Sequence, residues 1–139
     1  MNERVKLWLI KAFEDYKVIK ILTAQPKEKI PTAAICFPAQ QFVEKMLKAY
    51  LTYHEVPFPK THILEVLKQK CLEIDEVFQN LEFKNLSQYA VDLRYPDDFY
   101  IPEIEEAFDS VKIAEEIKNI ILERLGLTEK EMIKWRMKK

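Results

Sequence analysis

The longest unbroken amphipathic register in the chain runs from Thr32 to Tyr53, TAAICFPAQQFVEKMLKAYLTY. Stepping by roughly 100° per residue places Ile35, Ala39, Phe42, Val43, Met46, Leu47 and Tyr50 on one face of a helix. Gln41, Glu44, Lys45 and Lys48 gather on the opposite face. The first face predicts the core helix of the fold. The second is an ordered polar strip with two readings, a solvent face with Glu44 and Lys48 at ion-pair spacing, or the lining of a groove that receives phosphate or a partner's acids.

The same period recurs to either side. From Glu3 to Thr23, Val5, Trp8, Leu9, Ala12, Tyr16, Ile19 and Leu22 stand three or four residues apart, and Leu7, Ile10, Phe13, Val18 and Ile21 widen the apolar arc. An arc that broad predicts a helix packed against more than one neighbour, or against a second subunit. The linker QPKEKIP follows, with Thr32 as the expected cap of the core helix. Pro38 is expected either to delay regular helix to about Phe37 or to kink the first turns.

After Tyr53, Pro57 and Pro59 enforce an extended connection, and Thr61 is expected to cap a short helix carrying Ile63, Leu64, Leu67 and Cys71. Asp75 to Leu93 repeats apolar residues at helical steps, with a break expected between Phe83 and Leu86. RYPDDFYIP, Arg94 to Pro102, is too rich in aromatic and charged side chains for an idle linker. A helix from Pro102 to about Leu125 should end at Gly126, and Thr128 with Glu131 is a capping-box pattern opening a basic helix from Glu129 to about Met137. The sum is an all-α, up-and-down antiparallel bundle of four to five main helices plus a short C-terminal helix, one domain spanning residues 1–139.

Composition sharpens this picture. A single glycine in 139 residues disfavours the turn-rich sheet folds. With 22 basic and 23 acidic residues, a formal charge of −1 exerts no global pull on nucleic acid or membrane, so any anion site must be local. Cys36 and Cys71 stand in no CxxC pattern and read first as small buried hydrophobes, with a disulfide or metal site as the lesser alternative. Charges interrupt the N-terminal apolar period, so neither a signal peptide nor a spanning helix is expected, and the chain reads as soluble and cytoplasmic. Enrichment in Lys, Glu and Ile with scarce Gly resembles proteins of thermophiles.

No catalytic constellation stands out. His54 and His62 flank the proline connection without a Ser-His-Asp order or an HExxH pair, each reading first as a cap or surface residue, and no metal ligand set is expected. Asp15, flanked by aromatics, reads first as a helix acid paired with a nearby lysine.

WLIKAFEDYK, AICFPAQQFVEKMLKAYL, PFPKTHIL and the RYP of Arg94 to Pro96, followed by a long helix, together resemble HEPN-domain proteins over roughly residues 5–125. The pattern AxxCFxAQQxxEKxxKA with a downstream PKTH carries the resemblance. It implies a bundle like the substrate-binding domain of kanamycin-type nucleotidyltransferases, a homodimer, and partnership with a minimal nucleotidyltransferase in a toxin–antitoxin-like pair. It also offers two activities: metal-independent RNA cleavage through an Arg-x(4–6)-His motif, or nucleotide or substrate binding without catalysis. The positions that would pair with Arg94 are Phe99, Tyr100 and Ile101, and neither histidine follows an arginine at that spacing. The second activity is therefore the expectation, with a nucleotide as ligand, no cofactor, and RNA not a substrate. On the resemblance, Gln41, Lys45 and Lys48 are the expected polar or phosphate contacts, Arg94 the anchoring cation, and Asp15 and His62 flanking groups. Two positions depart from the family pattern, Pro38 within the AxxCFxAQQ run and Ile63 in place of the Asp of PKTHDL.

Overall fold

Asn2 starts the first helix: its side-chain oxygen accepts the Val5 amide at 3.1 Å, filling one of the N–H groups a helix leaves unpaired at its start. The structure is a computed structural model that describes residues 1–92 and 100–137. Helix α1 spans Glu3–Thr23 and α2 spans Thr32–Tyr53, both at the bounds the apolar period predicts. A short connection with a 3₁₀ turn at Lys27–Lys29 returns the chain, so that α2 packs along α1. Its other sides meet α5 (Ile104–Leu125), α3 (Leu64–Leu72) and α4 (Tyr89–Asp92). Fourteen of the 22 residues of α2 are buried, which makes it the axis of the bundle rather than one of its walls. Among the described residues there is no strand, and the fold is an all-α bundle.

Aromatic rings fill the seams. Phe42 of α2 lies 5.4 Å from Phe13 and 5.3 Å from Tyr16 of α1, and Tyr50 lies 5.0 Å from Phe78. Cys36 and Cys71 are free and buried, and burial pushes both thiols up, Cys71 to about 12, as inert core residues rather than reactive ones. At the far end α6 (Glu129–Met137) opens with the expected capping box: the Thr128 amide donates to Glu131 and the Glu131 amide to Thr128 Oγ1. Buried Lys118 of α5 ties this helix down through Glu129, while also reaching Tyr16 Oη at 3.2 Å and Glu115 at 3.1 Å.

Several local expectations are corrected. Thr32 lies inside α2, whose cap is Pro31 without a side-chain hydrogen bond; Thr61 instead accepts the Ile63 amide, and α3 starts at Leu64, whose amide is capped by Ser87 Oγ from 23 residues away. Ile63 precedes α3 and is exposed. Pro38 is accommodated within a helix that runs from Thr32. The segment after Asp75 is not a helix but 3₁₀ turns at Glu76–Phe78 and Leu86–Gln88 followed by α4; Phe78, Leu81, Phe83 and Leu86 reach the core from turns instead.

Gly126 ends α5 as expected, at φ 69°, with the Leu127 amide returning to the Leu122 carbonyl. A Cβ built there meets nothing within 4 Å. Gly126→Ala should therefore lower stability by about 1 kcal/mol through left-handed backbone strain alone. Urea unfolding measures this, and a variant as stable as the parent would mean the turn relaxes out of the left-handed region.

Candidate functional site

The polar strip of α2 is not a solvent face. With Trp8 of α1 and Phe58 and His62 of the connection after α2 against it, the row Gln40, Glu44, Lys48, one turn apart each, is buried, and its members hydrogen-bond one another. Glu44 is the hub. Its Oε2 accepts from Lys48 Nζ at 2.9 Å, and its Oε1 takes Gln40 Nε2 at 3.1 Å and His62 Nδ1 at 2.9 Å. Burial alone would raise the Glu44 carboxyl, but the hydrogen bonds from His62, Lys48 and Gln40 outweigh it and hold the group below the usual carboxylate range. An ionised Glu44 accepts only, so Nδ1 of His62 is the donor in this bond, and among the described residues Nε2 makes no hydrogen bond.

Gln40 fastens the same residue by its backbone. Its Nε2 also donates to the His62 carbonyl at 3.1 Å, and its Oε1 accepts from Gln41 Nε2 at 2.6 Å. The side chain of Glu44 is 5% exposed and that of His62 48%. Two buried polar side chains thus fix the ring and the main chain of a half-exposed histidine. Burying such groups does little for stability even when they are paired, so this expenditure favours orientation as its role.

Lys48, 9% exposed along its side chain, completes the network on the other side. Its Nζ lies 5.4 Å from the centre of the Trp8 ring and 5.9 Å from that of Phe58, so a desolvated ammonium is balanced by one carboxylate and two aromatic rings. Lys45 forms a separate pair with Asp15 of α1, at 2.7 Å. Burial raises the Asp15 carboxyl despite that lysine.

Of the residues expected at a site, the structure therefore gathers Gln41, Lys48 and His62 around Glu44, and sets Lys45 with Asp15 apart from them. Arg94 lies outside the described residues. Sequence reasoning missed Gln40, whose signal was the Gln-x-x-x-Glu-x-x-x-Lys row; it read Trp8 as part of an apolar helix face and Phe58 only as part of the proline connection.

A second polar cluster lies at the start of α5. The hydroxyls of Tyr89 and Tyr100 both donate to Glu106, at 2.5 Å for Tyr100. The bond to Glu106 raises the Tyr100 hydroxyl, and burial together with that carboxylate raises Tyr89. Neither is placed to exchange protons near neutral pH. Among the described residues no group of three or more His, Cys, Asp or Glu is arranged to hold a metal ion, and no helix is long and apolar enough to cross a membrane.

The HEPN domain family model matches residues 5–125. The chain belongs to the HEPN family. No curated protein and no solved structure matches it. The HEPN domain thus takes in α1 to α5 and every residue of the Glu44 network, leaving α6 outside the matched span.

Proposed function

We propose that this HEPN protein binds a nucleotide or nucleotide-bearing substrate without turning it over, as partner of a minimal nucleotidyltransferase in a toxin–antitoxin-like pair. The observation that carries the reading is the preset imidazole of His62, clamped by Gln40 and Glu44 at a half-exposed position, with a nitrogen left for a ligand. Holding a surface group in one rotamer removes the entropy that a ligand would otherwise have to overcome. Non-catalytic binding is supported by the engagement of the neighbouring groups. Lys45 and Lys48 are in ion pairs and the Tyr100 hydroxyl is bound to Glu106, while neither histidine follows an arginine at Arg-x(4–6)-His spacing. A homodimer is proposed on the outer side of α1, where Leu7, Val18 and Ile21 are exposed.

Calorimetric titration with ATP, GTP and their monophosphates tests the binding claim. The expected result is saturable heat that His62→Ala weakens by roughly tenfold, the loss of one good hydrogen bond to a charged group. No heat and no thermal shift at millimolar nucleotide would remove nucleotide binding and leave a protein-partner role. Incubation with total RNA in the absence of metal tests the alternative activity: cleavage abolished by Arg94→Ala would overturn the non-catalytic reading.

A further inference from the structure

Beside the Glu44 network lies a cleft of about 620 Å³, between the first turns of α1 and the connection that follows α2. Asn2, Arg4, Trp8, Lys48, Phe58 and Lys60 are among its lining residues. Its size is that of small-molecule sites, about 300–1,000 Å³. We propose that this cleft is the seat of the nucleotide, with the base against the Trp8 and Phe58 rings and the phosphates on Arg4 and Lys60. The proposal rests on the nucleotide reading above and names where the base and phosphates are held; His62 is not among the lining residues and joins the cleft through Glu44, which holds both its ring and Lys48.

Three observations converge on it. The first is charge. On a protein with a formal charge of −1, this lining brings together Arg4 and Lys60, beside a Lys48 already paired with Glu44, against the single lining carboxylate of Glu55. Among the described residues Arg4 and Lys60 make no ion pair, and both are exposed, so their donors are open to a phosphate. The 310 Å³ cleft at the start of α5 has the opposite character, with Glu103, Glu105, Glu106 and Asp109 in its lining, and would repel the same ligand.

The second observation is aromatic. Trp8 and Phe58 are 6.3 Å apart at 59°, and both are only partly buried although each is large and apolar. A half-open pair of rings beside exposed cations is the combination that nucleobase–phosphate ligands select, because every base has a π-face and every phosphate a charge. The third is preorganisation. Lys48 is held by Glu44 from behind and lies over both rings, so it positions the aromatic wall rather than contacting ligand in its own right. Glu55, also in the lining, sits at φ 57°, a left-handed conformation that residues other than glycine rarely hold. Its carboxylate gives the cleft one acceptor for a ribose hydroxyl or a base amino group.

The chain has two tryptophans, Trp8 and Trp135, so Trp135→Phe leaves Trp8 as the sole indole reporter. Full-length protein carrying that change is titrated with ATP, GTP, adenosine and inorganic tripolyphosphate, by fluorescence and by calorimetry in parallel. The expected result is saturable quenching of Trp8 by nucleoside triphosphate. Adenosine and tripolyphosphate should each bind roughly tenfold or more weakly, since each supplies half of the contacts. Arg4→Glu with Lys60→Glu, two exposed positions outside the core, should weaken nucleotide by a similar factor and leave the melting temperature in place. Nucleotide heat with Trp8 emission unchanged, or with affinity unaffected by the double charge reversal, overturns the cleft while the nucleotide reading survives. Tripolyphosphate binding as tightly as ATP overturns the role of the rings. Heat and quenching both absent, with either triphosphate, remove the nucleotide reading and the cleft together.

Discussion

Glu44→Ala is expected to lower stability by about 3–5 kcal/mol, the usual consequence of removing one member of a buried ion pair and leaving its partner charged. The wild-type carboxylate faces Lys48, His62 and Gln40, and only 5% of it is exposed. Alanine leaves the Lys48 ammonium over two aromatic rings that balance only part of its charge, which places the effect toward the lower end of that range. Against a typical total of about 5–15 kcal/mol it remains a large fraction. Coupling Glu44→Ala to Lys48→Met should recover much of the loss, because the orphaned charge goes with it.

The same residue sets a pH dependence. The folded Glu44 carboxyl lies below its ordinary value of 4.5, so its contribution is fully present above that value and is lost as pH falls through the folded value. Asp15 acts in the opposite sense: its folded carboxyl is raised above 3.8, so its contribution is present below 3.8 and fades as pH rises through the folded value. Glu44→Gln isolates the first effect. Urea unfolding of parent and variant should show a gap at pH 7 that narrows below about pH 4.5; a gap of constant width across that range would mean that Glu44 is not held ionised by its partners.

The bounds of α1 and α2 were legible because each is a long helix with apolar residues at steady steps, α2 stopping ahead of the prolines at 57 and 59, while the short α6 was legible from its capping box at Thr128. The segment after Asp75 misled because Phe78, Leu81, Phe83 and Leu86 are spaced at three, two and three residues, which suits a helix and a chain of 3₁₀ turns about equally. Capping by Ser87 of a helix that begins at Leu64 is a contact across 23 residues and has no local trace. The site was only half legible for the same reason. Helical periodicity sorts side chains by face but does not say how many faces are covered, and α2, with α1 and the connection that follows it folded over its polar row, buries that row as well as the apolar one. Glu44 meets His62 across 18 residues and Trp8 meets Phe58 across the whole of α2, so the network and the cleft exist only once the bundle has formed.

Phe42→Ala should be equally damaging, at about 3–5 kcal/mol, and for a reason that involves no charge. The ring has no exposed surface, stands edge-on to Phe13 at 86°, and packs at 36° against Tyr16, so it is the main knob by which α2 engages α1. Alanine forfeits the transfer energy of the ring, opens a void that rigid helices only partly close, and loses two aromatic contacts. Phe42→Leu retains most of the volume and should lose only about 1–2 kcal/mol. At roughly 3–5 °C per kcal/mol for a chain of this length, the alanine variant should melt on the order of 10–20 °C lower. The Asp15–Lys45 pair spans the same seam next to Tyr16, so Phe42→Ala and Asp15→Ala should combine non-additively, the second adding less once the first has loosened the helices. Strict additivity in a double-mutant cycle would mean that the ion pair holds α1 to α2 independently of the aromatic packing, and that the seam is two contacts rather than one.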